Sequence, residues 1–255
     1  MDYLKENGIF PNNLSYGFWG RKGGVGTGNY DSLNICDYSD DDKLVVDKNK
    51  KIISDAMGMD NFCALKQIHS DVCYYISDAD IHDGSLAGDA LVTDKSNVLL
   101  AVQTADCVPV LFHGEKDNGD PVIGAAHAGW GGALSGILKS TVDQMVLCGA
   151  SLSSIRAFIG PCIRQASYEV DNNFLIPFLE DNEFSDKFFK NGKKGKLHFD
   201  IAGYVSWKLS LLSVKNIHDS GINTYSDEES YFSYRRSTHN SEPDYGRQAS
   251  VIGIK

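Results

Sequence analysis

Three short apolar runs that follow one another closely constrain the fold of this chain most strongly. They cover residues 98–102, 108–112 and 122–126, and aspartate, glycine or proline residues lie in the stretches between them. Apolar runs of about five residues, bounded in this way, are typical of buried strands rather than of buried helices. The sequence therefore predicts three neighbouring strands in the interior of the protein.

Three side chains that can bind a metal ion lie at the ends of such runs. Cys107 stands between the first two runs, His127 follows the third, and His69 follows an apolar stretch at residues 62–68. Strand ends are rigid positions from which proteins present reactive groups. One thiolate and two imidazoles suit zinc, and three protein ligands leave a fourth tetrahedral position open, as in catalytic zinc sites. The spacing matches no short metal-binding motif, so the residues alone leave open that the three are unrelated buried side chains.

The remaining pattern mixes helices and strands without regular alternation. Helical periodicity predicts one helix that follows Asp40–Asp42 and ends before Gly58, one long helix over residues 131–149, and one capped by Asp200. This mixture favours an α+β fold over a doubly wound sheet. The sequence contains no repeat, linker or composition change, and we expect a single domain over residues 1–255.

Two polar stretches, residues 77–88 and 187–196, are predicted to be surface loops. His82 lies in the first of them, and His113 lies beside a turn. Both histidines are predicted to be solvated rather than to bind a metal. The last strand is predicted over residues 248–254.

The charge balance and the cysteine usage exclude several classes of protein. A formal net charge of −10 disfavours nonspecific nucleic-acid binding, which needs clustered lysine and arginine. No stretch has the pattern of a signal peptide or a membrane span, so we expect a cytoplasmic protein that binds no membrane. The six cysteines form no CxxC pair and are expected to be reduced, five as packing residues and Cys107 as a ligand. The sequence leaves the oligomeric state open.

Several short motifs, taken in the order of the chain, carry a family resemblance. They are GGVGTGNYDSLN, QIH, ADC, HAGW, IGPCI, YEV and SYRR. This ordered set resembles the YfiH/laccase-domain family, which is also described as multicopper polyphenol oxidase or purine nucleoside phosphorylase. The resemblance extends over residues 17–254. It implies a mixed β-sandwich with flanking helices, and it implies zinc bound by His69, Cys107 and His127.

The resemblance also implies an activity. It indicates a zinc-dependent purine nucleoside phosphorylase that cleaves adenosine, inosine, guanosine and methylthioadenosine with inorganic phosphate, and that also deaminates adenosine. His69, Cys107 and His127 are then catalytic as well as metal-binding. Asp106, beside the thiol, either orients a ligand or moves protons, or it is an ordinary turn carboxylate. An open position on zinc can serve both reactions, because it acidifies bound water and attracts a phosphate oxygen.

Four further residues are predicted to contact the substrate. Arg21 precedes the glycine-rich segment at residues 23–28, which is either a phosphate-binding loop or a flexible turn, and Asn34 ends the same motif. Arg235 and Arg236 in SYRR can bind an anionic group by bidentate contacts. For each arginine taken alone, a surface salt bridge is the more common role.

Two other functions stay open at the level of the sequence. The first is a copper-dependent polyphenol oxidase, but multicopper centres use many histidines, commonly in HxH pairs, and this chain has seven histidines and no such pair. The second is a non-catalytic zinc-binding protein, which is kept open by Gly131, because the family usually has arginine there, after HAGW. Zinc with nucleoside turnover, copper with phenol oxidation, and zinc without turnover are the three outcomes that separate these functions.

Overall fold

The computed structural model of the protein describes residues 3–77 and 83–255, so His82 lies outside the described residues. The α-helices in these residues are α1 (Lys43–Met57), α2 (Trp130–Ser135), α3 (Ile137–Leu147), α4 (Ile176–Asp181), α5 (Ile201–Leu211) and α6 (Tyr234–His239). The strands are β1 (Tyr3–Leu4), β2 (Leu14–Trp19), β3 (Asn61–Lys66), β4 (Cys73–Tyr75), β5 (Asp83–Ala87), β6 (Ala90–Thr93), β7 (Val98–Thr104), β8 (Val108–Glu115), β9 (Pro121–Ala128), β10 (Arg156–Ile159), β11 (Glu169–Asp171), β12 (Phe189–Asn191), β13 (Lys196–Phe199), β14 (Asn216–Asp219) and β15 (Gln248–Ile254).

Two six-stranded mixed sheets pack face to face. The first has the strand order β1-β2-β15-β7-β3-β5, and the second has the order β14-β10-β8-β9-β6-β4. The three predicted apolar runs form β7, β8 and β9, which are almost entirely buried. Their side chains alternate between the two faces of each sheet. Leu100 and Leu111 lie in the core between the sheets, whereas Leu99 and Val110 lie in the two outer cores.

Helices cover the outer face of each sheet. On the first sheet, Ile53 of α1 packs in one core with Trp19 and Val251. On the second sheet, Leu138 of α3 and Val205 of α5 belong to the other outer core. The resulting order of layers is helix, sheet, sheet, helix, which confirms the predicted α+β fold, a mixed β-sandwich with flanking helices.

Local sequence signals fix three helix boundaries as predicted. The side chain of Asp42 accepts a hydrogen bond from the backbone N–H of Leu44, and Gly58 ends α1 in a left-handed conformation with φ of 70°. Asp200 caps α5 by accepting the N–H of Gly203 at 3.0 Å. Within residues 3–77 and 83–255, no helix combines the length and the apolar character that crossing a bilayer needs.

Three sequence predictions about local structure are wrong. The long helix over residues 131–149 is two helices, because Gly136 between them has φ of 114° and cannot continue an α-helix. The predicted loops over residues 77–88 and 187–196 contain β5, β12 and the first residue of β13. Short polar strands at a sheet edge lack the apolar pattern that reveals buried strands. His113 is buried within β8, because that strand continues to Glu115 instead of ending before it.

One partly buried ion pair gives a pH-dependent contribution to stability. The carboxylate of Asp94 accepts hydrogen bonds from Lys116 Nζ at 2.6 Å and from the Tyr75 hydroxyl at 2.7 Å. Burial alone would raise the pKa of Asp94, but these hydrogen bonds and the Lys116 charge lower it from 3.8 to about 2. A carboxyl group with a lowered folded-state pKa stabilises the fold above its unfolded-state pKa, and this stabilisation is lost as the pH falls from 3.8 towards 2.

We therefore expect Asp94→Asn to lower the free energy of unfolding by roughly 1–2 kcal/mol at neutral pH. The difference from the wild type should shrink as the pH falls and vanish near the folded-state pKa of about 2. Urea unfolding at a series of pH values measures it. The control is Asp55→Asn, which removes an exposed pair with Lys51 and should leave stability nearly unchanged, because solvent screens such pairs. A penalty for Asp94→Asn that is independent of pH would contradict this assignment.

Candidate metal centre

The turn after β3, the start of β8 and the end of β9 bring together His69, Cys107 and His127. One donor atom from each lies within 4.8 Å of the other two, and no other group of three or more His, Cys, Asp or Glu side chains is as close within the described ranges. The Cys107 sulfur is 3.7 Å from Nε2 of His69. The imidazole rings of His69 and His127 stand at 80° to each other, with centroids 4.8 Å apart. The predicted ligand set is therefore a cluster in space.

This cluster fits a tetrahedral zinc ion. Bond lengths of about 2.3 Å to sulfur and about 2.0–2.1 Å to nitrogen, at a tetrahedral angle, separate the two donor atoms by about 3.6 Å. The observed distance between Cys107 Sγ and His69 Nε2 is 3.7 Å. His127 is buried, Cys107 is partly buried and His69 is exposed. A ligand can therefore reach the cluster from the side of His69 and Cys107.

Asp89, a residue that the sequence analysis did not select, holds two of the three donors in place. Its Oδ1 atom is 2.8 Å from Nδ1 of His127, which leaves Nε2 of that ring for a metal. The same carboxylate accepts the backbone N–H groups of His69 at 3.0 Å and Ser70 at 2.6 Å, and also the Ser70 hydroxyl at 2.7 Å. These bonds stabilise the turn in which His69 adopts a φ of 61°. One buried carboxylate therefore orients the His127 ring and fixes the backbone at His69.

The charges of the cluster stabilise the thiolate. Burial alone would raise the pKa of Cys107, but the charge of His127 and hydrogen bonds from His127 and His69 lower it to about 6. Burial alone would lower the pKa of His127, but Cys107 and Asp89 raise it to about 9. Burial also opposes ionisation of Asp89, yet hydrogen bonds from His127 and Ser70 lower its pKa to about 2. Cys107 is therefore ionised at neutral pH, which is the form that binds metals.

Asp106 is fully occupied by donors from the protein. Its carboxylate is buried and accepts hydrogen bonds from the Thr224 hydroxyl at 2.6 Å, the Ser233 hydroxyl at 2.9 Å and the Arg235 backbone N–H at 2.7 Å. Burial raises its pKa in spite of these bonds. The residue has a φ of 91°, a conformation that residues other than glycine rarely adopt. These contacts suit a residue that positions its neighbour Cys107. Proton transfer by Asp106 stays a prediction.

Gly129 provides the space that the donors occupy. A Cβ atom at this position would lie 2.5 Å from Cδ2 of His69 and 3.3 Å from the Cys107 sulfur. At Gly131, two residues further on, the nearest atom to a Cβ would be the carbonyl oxygen of His69 at 3.7 Å. The HAGW segment therefore needs glycine at its third position for steric reasons, whereas position 131 has room for a side chain.

A cavity of about 380 Å³, here called the aromatic cavity, borders the cluster. The guanidinium of Arg235 lies over the Tyr168 ring at 5.3 Å and donates to the backbone oxygen of Glu169 at 2.7 Å. The volume and the largely apolar walls suit one small organic molecule. The lining residues are His69, Ala105, Asp106, Cys107, Trp130, Ile163, Tyr168, Ile201, Tyr234, Arg235 and Tyr245.

A second cavity of about 190 Å³, here called the basic cavity, also borders the cluster. It carries the two cations Lys66 and Arg247, and no carboxylate belongs to its lining. His69, Ala105, Cys107 and Tyr245 line both cavities. The other lining residues of the basic cavity are Cys36, Tyr38, Gln67, Gln103, Thr104 and His127.

The two predicted arginines of SYRR have different surroundings. Arg235 lines the aromatic cavity, next to Cys107. Arg236 lines neither cavity, and its guanidinium donates to the backbone oxygens of Thr224 at 2.8 Å and Tyr225 at 3.0 Å and to that of Tyr231. Arg236 therefore holds the loop before α6. A substrate contact by either arginine stays a prediction.

Arg21 and Asn34 also line neither cavity. Arg21 donates to the backbone oxygens of Asp31 at 2.8 Å and Glu228 at 3.2 Å. Asn34 is buried, and its Oδ1 accepts the backbone N–H of Arg247 at 3.0 Å. Asn34 therefore positions Arg247 of the basic cavity, and direct substrate contacts of Arg21 and Asn34 stay predictions.

The backbone N–H groups of the glycine-rich segment donate hydrogen bonds to other residues of the protein. The N–H of Gly24 donates to the Ser32 hydroxyl at 3.0 Å, and that of Val25 donates to Oδ1 of Asn49 at 2.9 Å. The N–H of Gly26 donates to the backbone oxygen of Ser32 at 2.8 Å. Of the two interpretations of this segment, these bonds favour a turn fastened to α1 over a phosphate-binding loop.

Sequence reasoning missed Asp89, Gly129 and Arg247. Asp89 did carry a signal, since a carboxylate directly before an apolar strand has to be paired once it is buried. Gly129 lies in the HAGW motif, but its steric role depends on His69, which is distant in sequence. Arg247 precedes the last strand without any local pattern that indicates a site.

The chain is similar to proteins of known family and structure. Residues 15–255 match the family described as multi-copper polyphenol oxidoreductase laccase. A Rickettsia prowazekii protein named purine nucleoside phosphorylase is 39% identical over 193 residues, which cover 75% of this chain and 77% of that protein. A protein from an unknown prokaryotic organism, named adenosine deaminase, is 31% identical over 219 residues, covering 81% of this chain and 82% of that protein. The crystal structure of the Neisseria meningitidis protein NMB0706 superposes with a TM-score of 0.89 at 30% identity and covers 100% of both chains.

Proposed function

Because the chain belongs to the multi-copper polyphenol oxidoreductase laccase family, in which relatives are named purine nucleoside phosphorylase, we propose that it is a zinc-dependent purine nucleoside phosphorylase. The observation that carries the proposal is the aromatic cavity beside the donor cluster. A purine nucleoside has a flat aromatic base and a polar sugar, and this cavity is lined both by the aromatic rings of Trp130, Tyr168 and Tyr234 and by polar side chains that include His69 and Arg235.

In this proposal, different residues of the aromatic cavity bind the base and the metal ion. The rings of Trp130, Tyr168 and Tyr234 stack on or enclose the purine, and contacts of this kind contribute about 1–3 kcal/mol per base. His69, Cys107 and His127 hold zinc, which when bound supplies a Lewis acid at the boundary of the two cavities. Enclosure of the base by these walls excludes water and directs the glycosidic bond towards that boundary.

Phosphorolysis transfers the ribosyl group from the base to phosphate. A phosphate oxygen forms a bond to C1′, the C1′–N9 bond breaks, and its electron pair leaves with the purine. The proton of monohydrogen phosphate ends on the purine, so the products are the free base and ribose 1-phosphate. We propose adenosine, inosine, guanosine and methylthioadenosine as the nucleosides, since all four share the flat base and the C1′–N9 bond.

Deamination of adenosine is the second activity that we propose, because one relative is named adenosine deaminase. Water replaces the amino group at C6 of the base, and ammonia and inosine are the products. The reaction needs C6 rather than C1′ at the boundary of the cavities. A cavity with apolar walls and few polar anchors allows a ligand to bind in both orientations.

Zinc is preferred over copper because of the surroundings of the cluster. Two histidines and one cysteine also bind copper in blue-copper proteins, where a methionine is the usual distant axial ligand. The methionines of the described residues are buried in the outer cores, Met57 and Met59 in one and Met145 in the other. A multicopper centre needs more donors than the single three-residue group found in the described part of the chain.

The test is chromatography of adenosine and inosine after incubation with the zinc-loaded protein, with and without inorganic phosphate. We expect free base and ribose 1-phosphate only when phosphate is present. Conversion of adenosine to inosine should not depend on phosphate. Equal release of free base in both samples would exclude phosphorolysis, and the absence of every product would favour the non-catalytic alternative. Copper in the purified protein, together with phenol oxidation, would favour the polyphenol oxidase.

A further inference from the structure

The basic cavity has the charge and the donors of an oxyanion site. Lys66 and Arg247 contribute two positive charges, and no carboxylate belongs to the lining. No carboxylate of the described residues lies within ion-pair distance of either cation, although other lysines and arginines of the chain do form such pairs. The carboxylate of Asp244 acts on Arg247 from beyond that distance and does not line the cavity. Two cations that line the same small space without a direct ion pair favour an anionic ligand.

Arg247 is held in a fixed orientation. Its guanidinium stacks on the Tyr245 ring at 4.1 Å and donates to the Tyr245 backbone oxygen at 3.3 Å. Its backbone N–H donates to Oδ1 of the buried Asn34 at 3.0 Å. A guanidinium that is oriented before the ligand arrives loses little conformational entropy when it binds an oxyanion.

Two residues that line the same cavity each carry a buried side-chain oxygen with no hydrogen-bond partner within the described residues. These oxygens are Oγ1 of Thr104 and Oε1 of Gln103, and the two residues are only 2% and 7% exposed. Buried polar atoms are almost always paired, so two neighbouring residues of a cavity lining with such atoms offer unused hydrogen-bonding capacity to a polar ligand. The Thr104 hydroxyl can donate to an oxyanion, whereas the Gln103 oxygen can only accept.

This combination of groups selects among oxyanions. Monohydrogen phosphate carries two negative charges for Lys66 and Arg247, oxygen acceptors for Thr104, and one P–OH proton for Gln103 Oε1. Sulfate has the same shape and charge but no proton to donate, so it would leave the Gln103 oxygen buried and unpaired. An unsatisfied buried acceptor is costly, which makes the proton the basis of discrimination.

We propose that the basic cavity is the site of inorganic phosphate, with Arg247, Lys66, Thr104 and Gln103 as its ligands. This inference rests on the proposed function. His69, Ala105, Cys107 and Tyr245 line both cavities, so a phosphate in the basic cavity and a nucleoside in the aromatic cavity meet beside the donor cluster. The attacking oxygen and C1′ are then held on opposite sides of one boundary, and the leaving purine stays in the aromatic cavity.

The test measures binding of inorganic phosphate to the zinc-loaded full-length protein by titration calorimetry. We expect Arg247→Gln and Thr104→Val each to weaken phosphate binding about tenfold or more, and sulfate to bind the wild type at least about tenfold more weakly than phosphate. Lys48→Gln removes an exposed cation on α1 and should leave phosphate binding unchanged. Thr104→Val keeps the shape of the side chain, so it remains informative if Arg247→Gln does not fold.

Kinetics separate this inference from the proposed function. If the wild type performs phosphorolysis, both variants should raise KM for phosphate about tenfold or more, with a much smaller effect on KM for the nucleoside. Phosphorolysis by the wild type combined with wild-type phosphate affinity in both variants would overturn the phosphate site. Phosphate binding that depends on Arg247 and Thr104, in a protein that cleaves no nucleoside, would support the site and reject the proposed function.

Discussion

Replacing Cys107 by serine is expected to remove most of the metal and to lower phosphorolysis and deamination together, each by about a thousandfold or more. The thiol is the only one of the three donors that becomes an anion, and its pKa of about 6 makes it a thiolate at neutral pH. A serine hydroxyl stays protonated there and is a poor zinc ligand. The two imidazoles that remain, His69 and His127, bind zinc much more weakly than the complete set.

The measurement combines elemental analysis with the chromatographic assay. The wild type should carry about one zinc per chain, and Cys107→Ser should carry little. Circular dichroism should stay unchanged, because the turn is held by the neighbouring Asp106 through three hydrogen bonds. The matched control is Cys148→Ser, which replaces a partly buried thiol at the end of α3 and should keep full zinc and activity. Full zinc occupancy in Cys107→Ser would show that the sulfur is not a ligand.

The sequence could predict those parts of the fold that depend on interactions between residues close together in the chain. The apolar runs of β7, β8 and β9 can each be recognised as buried strands from their own residues, without knowledge of the rest of the chain. The carboxylates of Asp42 and Asp200 cap their helices through neighbours two or three residues away. The break at Gly136 could not be read in the same way, because helical periodicity continues across it and only the backbone conformation of one glycine ends α2.

The candidate site depends on contacts between distant parts of the chain. His69 and Cys107 are 38 residues apart, and Asp89 lies 38 residues from the His127 ring that it orients. Such spacings match no short motif, which is why the residues alone left the metal site open and the ordered family motifs were needed to select it. Arg247 enters the basic cavity only because β15 pairs with β7. Pairing between the last strand and a strand from the middle of the chain leaves no trace in local sequence.

Adding a single methyl group at Gly129 should disrupt the donor cluster. The backbone of Gly129 has φ of −65° and ψ of 165°, which alanine adopts without strain, so the effect of Gly129→Ala is purely steric. The new Cβ would lie 2.5 Å from Cδ2 of His69, and because Asp89 holds the His69 backbone, the ring has to rotate out of its position to relieve the clash. We expect zinc affinity to fall about 10- to 100-fold, with a comparable loss of activity at limiting zinc.

Gly131→Ala is the matched control for this substitution, because it adds the same methyl group two residues away. The nearest atom to that Cβ would be 3.7 Å distant, which is an ordinary contact, and alanine favours the first turn of α2 more than glycine does. We expect Gly131→Ala to keep wild-type zinc affinity and to be as stable as the wild type or slightly more so. Competition with a zinc chelator measures affinity in both variants, and thermal unfolding of the metal-free proteins separates a loss of metal from a loss of fold. Equal zinc affinity in the two variants would mean that His69 can move without losing the metal, and it would remove His69 from the ligand set.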